Sequence, residues 1–310
     1  FSEKNAEACV QYLSAQQAAT GMIPSARHIL FERFFDESGG MQLVIHSPLG
    51  GRVNRAYGLA LRKRFCRRFD FELQASADDN GLVLSLGPQQ GFALEDVVQM
   101  IRPEGAEAML EQALLPSPFF QNRWRWNTTR ALVVLRQHGG KRTPPPLQRF
   151  RADDLLTNLF PALTACPDNG TYAGNLEIPD HPLVRQTVHD VLHEAMDLEA
   201  WLQLISDIAS KNIAVSCIDT REPSPFSYQL LNAQPYAFLD GAPIEERRAR
   251  AVATRRTLSV ESLRDLGHLD PEAIRQVCNE AWPLIRDADE LHDFLLSIGF
   301  LPEQTHRCCS

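Results

Sequence analysis

Residues 46–65 read HSPLGGRVNRAYGLALRKRF. The proline and two glycines of His46–Gly51 end an apolar run, and a helical pattern opens at Arg52 and continues to about Phe69. On a wheel of about 100° per residue, Val53, Tyr57, Ala60 and Leu61 share one arc. Arg52, Arg55, Arg62 and Lys63 share another. The stretch therefore predicts strand, glycine turn, and a helix with a core face opposite a cationic face. Upstream, Ile29–Phe35 and Met41–His46 are β-rich runs separated by Asp-Glu-Ser-Gly-Gly, a hairpin pattern. Downstream, Phe71–Ala75 and Leu82–Leu86 flank Asn80-Gly81, a strong short hairpin signal. A helix over residues 4–20, stopped by Gly21, comes first. The predicted class is α+β, with a strand-rich module over residues 1–90 that is either an open sheet or barrel-like.

The charge is distributed unevenly. The whole chain of 310 residues carries −8, which taken alone argues against a nucleic-acid partner. Up to Arg151, however, there are 19 Lys and Arg against 14 Asp and Glu, and beyond it 12 against 25. The stretch Arg52–Arg68 holds seven basic residues and no acid, and Gln112–Ala152 holds eight and none. Blocks of one sign are the footprint of a polyanion partner. The composition, 44% hydrophobic and 23% charged, is that of an ordinary globular protein. No apolar run approaches the roughly 18 residues of a membrane span, so no membrane partner is expected. The seven cysteines lack any Cys-x-x-Cys spacing, which fits reduced thiols and a cytoplasmic location. The initial Phe1 and the Cys308-Cys309-Ser310 ending are expected of a segment cut from a longer chain.

After residue 92 the pattern turns helical, with candidates at Phe92–Ile101, Gly105–Leu114 and Phe119–Leu135. His138–Pro146 reads as a loop because of its three prolines, with a helix resuming from Leu147 to Leu156. Residues 91–165 form a basic helical module. Residues 166–310 form an acidic one, with helices within His181–Lys211 capped by Asp180, a strand at Ile213–Ile218, and helices at Ile244–Arg256, Asp270–Trp282 and Asp287–Ile298.

No phosphate-loop or dinucleotide fingerprint is present, and no serine or cysteine sits in a nucleophile context. Among the many carboxylates, none is singled out as a base-processing acid. His189 and His193 are four apart on a helix, but the order matches neither zincin pattern, so no metal site is expected. The turn His46, Ser47, Gly50 leading to Arg52 and Arg55 offers free amides to an anion. The second basic block interleaves Arg123, Arg125 and Arg130 with Trp124 and Trp126, then continues through Arg136, Lys141, Arg142, Arg149 and Arg151, with Gln148 able to hydrogen-bond sugar or base edges. Arginines clasp phosphates and aromatic rings stack on bases. Two tryptophans spaced two apart on a helix cannot share a face, so at least one is core.

Together these segments resemble the large helicase-related (Lhr) family, specifically the DEAD/H-associated region after its two RecA-like motor domains. HSPLGGRVNRAYGLALRKRF resembles the family's His-Ser-Pro-Phe-Gly turn and helix, with Leu49 in place of Phe. FFQNRWRWNTTRALVVLR resembles its Arg-rich segment at Arg123, Arg125, Arg130, Ala131 and Leu132. TPPPLQRFRA resembles TPLWQQRQRA at Thr143, Pro144, Gln148, Arg149, Arg151 and Ala152. PSPFSYQLL and APIEERRARA resemble two later signatures. The family's tryptophan falls on Pro146, so a stacking ring there is missing or is supplied by Trp124 or Trp126. The resemblance covers roughly residues 5–300. It implies a winged-helix-like module over 91–165 and an accessory region of an ATP-dependent helicase that grips single-stranded DNA or an RNA:DNA hybrid. ATP and Mg2+ are implied for the motor domains of the same chain, and no cofactor for this region. The nucleic-acid contacts are expected from His46, Ser47, Gly50, Arg52, Arg55, Arg125, Trp126, Arg130, Gln148, Arg149 and Arg151. The alternative expectation is a platform that docks motor or C-terminal modules without touching nucleic acid.

Overall fold

In the strand that ends at His46, every residue from Met41 onward is buried, and burial on both faces organises the architecture. The structure is a computed structural model that describes residues 3–35, 39–69, 73–87, 91–164, 175–231, 271–281 and 285–298. Strands β1 (His28–Phe35) and β2 (Met41–His46) pair antiparallel, as their alternation predicts. Helix α1 (Glu3–Thr20) precedes them, α2 (Gly51–Phe69) follows, and β3 (Gln74–Ala77) with β4 (Gly81–Gly87) form the second hairpin. Phe71, where the sequence starts this strand, lies outside the described residues.

The sheet is open and runs β3-β4-β2-β1-β7, where β7 (Ala214–Asp219) lies parallel to β1 at an edge. One face, carrying Ile29, Phe31, Met41, Leu43, Ile45, Leu82 and Leu84, packs into a large core with Val53, Tyr57, Ala60 and Leu61 of α2. The predicted core arc of that helix is therefore the buried one. On the opposite face Phe34, Val44 and Val83 meet Leu230 of helix α10 (Pro225–Leu231). Gly81 is required for closeness, since a Cβ there would stand 2.3 Å from the Ile45 carbonyl oxygen.

Helices α3 (Leu94–Val98), α4 (Ala106–Leu114) and α5 (Pro118–Arg130) follow the sheet strands. The predicted proline loop is more ordered than its sequence implies. Gln137–His138 (β5) and Lys141–Arg142 (β6) pair as a tight hairpin, and α6 (Pro145–Leu159) begins within the prolines. Pro145 sits in the first turn, where a helix has no use for amide hydrogens and a fixed φ helps. A short helix α7 (Pro161–Thr164) ends this stretch.

Helix α8 (Pro182–Asp190) is capped by His181, whose Nδ1 accepts from the Leu183 amide at 3.3 Å. Asp180, the expected cap, pairs instead with Arg185. α8 runs directly into a π-helical turn (Val191–Ala195), and α9 (Leu198–Ala209) leads to β7.

The sequence divides the chain at residues 90 and 165. In the structure, residues 1–267 form one unit and 268–310 a second, because β7 returns to the first module's sheet and one core spans α2 to α9. The second unit contributes α11 (Pro271–Ala281) and α12 (Ala288–Ile298). Asp287 accepts the amides of Asp289 and Glu290 at 3.0 and 2.9 Å, as its start signal predicts. The helix expected at Ile244–Arg256, and with it the APIEERRARA segment, lies outside the described residues.

Candidate nucleic-acid interface

The two basic blocks have different fates. The turn that opens the first is buried at His46 and Ser47 and exposed at Pro48, and Ser47 Oγ has no hydrogen-bond partner among the described residues. His46 is 2% exposed and Ser47 fully buried. Gly50 takes φ 94, a left-handed conformation that suits glycine. The first amide of α2 already meets a carboxylate: the Gly51 amide donates to Asp79 Oδ1 at 2.7 Å, and the Gly50 amide just before the helix donates to the Asp79 carbonyl at 3.1 Å. A carboxylate from the Asn80-Gly81 turn thus takes the place foreseen for a phosphate.

The cations beyond it also have partners within the chain. Arg52 donates through Nε and Nη2 to the Met196 carbonyl, at 3.2 and 2.8 Å, and through Nη2 to that of His193. Arg55 donates to the Ala195 carbonyl at 2.9 Å. These carbonyls end the helix formed by α8 and its π turn, where orphan acceptors and the dipole favour positive charge. Arg62 reaches the Leu73 carbonyl at 3.3 Å. Arg52, Arg55 and Arg62 of the first block thus tie α2 to other parts of the fold.

His46 also meets a buried acid. Its Nε2 lies 2.7 Å from Glu32 Oε2, and that carboxylate accepts further from the Ser224 amide, Ser224 Oγ, Ser227 Oγ and Thr220 Oγ1. Burial by itself would push the Glu32 carboxyl up. The hydrogen bond and charge of His46, with two bonds from Ser224, outweigh it and hold the group below its ordinary 4.5. Ser227 Oγ is 3.1 Å from the same Nε2. One ring nitrogen faces both acid and hydroxyl, and the three groups form one buried hydrogen-bonded cluster.

The second block faces outward. A groove of about 400 Å³ runs between α5 and α6. α5 lines it with Asn122, Arg125, Trp126 and Thr129, the following loop and hairpin with Arg136 and Arg142, and α6 with Pro145, Gln148 and Arg149. Four guanidinium groups and one indole line it, and no carboxylate does. Trp126 is 60% exposed and the Arg130 guanidinium stacks over its ring at 5.7 Å. Trp124 is the core partner, fully buried, its Nε1 donating to the Ala152 carbonyl at 2.7 Å. Arg125 leans on Asp153 at 3.4 Å. Among the described residues, Arg130, Arg136, Lys141, Arg142, Arg149 and Arg151 have no ion-pair partner. Gln148 spends one amide hydrogen on the Thr143 carbonyl at 2.7 Å, which fixes the side chain at the groove.

The sequence profile of the DEAD/H-associated family matches residues 23–227. The chain belongs to the DEAD/H-associated family. It is 31% identical over 94% of its length to the Lhr helicase/probable uracil glycosylase of Mycolicibacterium smegmatis, of which that alignment covers 19%. It is 30% identical over 96% of its length to the Lhr helicase/uracil glycosylase of Escherichia coli, again 19% of that protein. The solved structure of Mycobacterium smegmatis helicase Lhr bound to ssDNA and AMP-PNP superposes with a TM-score of 0.60 at 30% identity, covering 72% of this chain and 26% of that one. The chain thus spans about a fifth of the length of those two full relatives.

In this member of the DEAD/H-associated family, the matched span closes on Ser227, the last hydroxyl bonded to Glu32. Sequence reasoning did not place Glu32 or Ser227 in a site, although the HSP and PSPF motifs that carry their partners were legible. Arg136 and Arg142, part of the basic block in sequence but not among the expected contacts, line the groove. Asn127 was missed too: buried on α5, it donates to Asp190 Oδ2 at 2.9 Å and Thr187 Oγ1 at 3.2 Å, fastening the groove helix to α8. Arg123 adds an ion pair to Glu194 at 2.6 Å. The His189 and His193 rings lie with centroids 4.5 Å apart, tilted by 35°, and no metal cluster is found among the described residues. No helix among those residues is long and apolar enough to cross a membrane.

Proposed function

We propose that this DEAD/H-associated region of an Lhr-type helicase grips a single nucleic-acid strand along the groove between α5 and α6. The observation that carries the reading is the acid-free lining, four arginines beside an exposed indole. Arg136, Arg142 and Arg149 neutralise successive phosphates, and Trp126, its ring braced by Arg130, offers a face to an unstacked base. The single strand held by the M. smegmatis relative supports the choice of ligand. An RNA:DNA hybrid would present a comparable single-strand tail. On this reading nucleotide hydrolysis, with ATP and Mg2+, belongs to RecA-like motor domains of the same protein, and this region keeps the strand from slipping between their steps.

The test is the salt dependence of single-stranded DNA binding by the intact protein. With four groove arginines engaged, log affinity should fall against log salt with a slope of at least about −3. Arg149→Glu should weaken all sequences alike. Binding that ignores salt, or that survives charge reversal at both Arg142 and Arg149, sinks the proposal.

A second reading, a docking platform for neighbouring modules, draws on the outer face of α1, where Val10 and Leu13 are 62% and 41% exposed. Val10→Glu with Leu13→Glu should leave strand affinity intact and release the motor domains if that reading holds.

A further inference from the structure

Helix α5 ends on an unusual cap. The Leu132 amide donates to the Thr129 carbonyl at 3.2 Å and the Val133 amide to that of Thr128 at 3.0 Å. This pair of bonds is the Schellman ending, whose residue after the cap is left-handed and most often glycine. Here it is Leu132, at φ 60. Its side chain is 74% exposed, and that of Val133 beside it 54%. The other non-glycine residue with positive φ among those described is Lys211, at φ 63 in the same position after α9. Lysine there keeps its charge in water. Leucine gains nothing comparable, since it buries little and holds a conformation that glycine adopts freely. A side chain kept on those terms meets something outside the chain.

Its place indicates what. The loop departs from Thr129 and returns at Arg136, and both line the basic groove. Arg130, two residues before Leu132, lies over Trp126. No acid occurs between Gln112 and Ala152, so an apolar protein surface docking here would leave these cations uncompensated. A nucleic-acid strand supplies both partners at once: phosphates for the arginines and base faces for the leucine. Apolar side chains of this size enter nucleic acid by parting adjacent bases.

We infer that Leu132, backed by Val133, is a wedge that parts two neighbouring bases of the strand in the groove. Stacking is then interrupted at one fixed step while the arginines hold the phosphates on either side. The inference rests on the groove reading above and adds to it a residue and a local action.

Single-stranded oligonucleotides carrying 2-aminopurine at successive positions test it on the intact protein, because that base brightens when unstacked. One position should brighten several-fold on binding. Leu132→Gly should abolish that signal while affinity falls by less than about tenfold and the thermal midpoint holds or rises. Leu132→Met, a wedge of similar length, should keep it. Unchanged brightening in Leu132→Gly, or no bright position despite salt-sensitive binding, overturns the wedge and leaves the groove standing. Failure of the unsubstituted protein to bind the strand overturns both. Loss of attachment between neighbouring domains in Leu132→Gly, with the 2-aminopurine signal intact, assigns Leu132 to a protein contact and also overturns it.

Discussion

Glu32 Oε2 and His46 Nε2, on neighbouring strands, lie 2.7 Å apart with side chains 0% and 2% exposed. Their pairing joins the HSP turn to the PSPF segment, because Ser227, 181 residues from His46, bonds both. A buried carboxylate with this many donors closes the second face of the sheet, and its removal takes the shared acceptor from a histidine and three hydroxyls.

Glu32→Ala should therefore destabilise the fold by about 3–5 kcal/mol, the usual effect of removing one member of a buried pair. Urea unfolding measures it, and a change below about 1 kcal/mol would show that water enters and replaces the carboxylate.

The same group sets an acid limb. Its carboxyl is held below 4.5, so it stabilises the fold fully above the ordinary carboxylate range. That contribution is lost as pH falls through the lowered value, because the unfolded chain takes up the proton first. Asp78 and Glu111 have their carboxyls raised by burial and act with the opposite sign. The melting temperature should fall between pH 5 and 3, and the fall should be shallower in Glu32→Gln. Equal slopes for the two proteins would contradict this assignment.

The two tryptophans should separate stability from binding. Trp124→Ala should cost about 3–5 kcal/mol of stability, as a fully buried aromatic does. Trp126→Ala should leave stability nearly unchanged and weaken single-strand affinity by about 5- to 150-fold, the equivalent of about 1–3 kcal/mol per stacked base. Thermal melting beside fluorescence anisotropy distinguishes them.

Arginines of the two basic blocks should differ in kind. Arg149→Ala should lower the salt slope by about one. Arg52→Ala should leave the slope alone and lower stability by about 1 kcal/mol, through the uncapped end of the helix that closes at Met196. If Arg52→Ala changes the slope as much as Arg149→Ala, the side chain leaves its carbonyls to meet a phosphate.

Lys211→Gly should raise stability by about 1 kcal/mol, since glycine relieves the left-handed residue after α9 without removing a buried group. Chemical denaturation checks this, and a loss would mean the lysine makes a contact that outweighs the strain.

The sequence by itself determined the periodic features. Alternation located both hairpins, the 3.6-residue period gave α2 its core face, and the spacing of Trp124 and Trp126 required one of them to be buried. The motifs identified the family, because their order along the chain survives without coordinates. Local rules worked wherever the deciding interactions lie within a turn or two.

Tertiary structure decided which charges are free. Both basic blocks lack acids in sequence, yet Arg52 and Arg55 are taken up by carbonyls about 140 residues away, while Arg136, Arg142 and Arg149 converge on solvent. A guanidinium satisfied by the end of a distant helix looks the same in sequence as one waiting for a phosphate. Only the approach of the π turn and Met196 to α2 tells them apart. The parallel pairing of β7 with β1 is likewise non-local: nothing in Ile213–Ile218 names its partner strand, and one core shared from β1 to α9 draws the elements together.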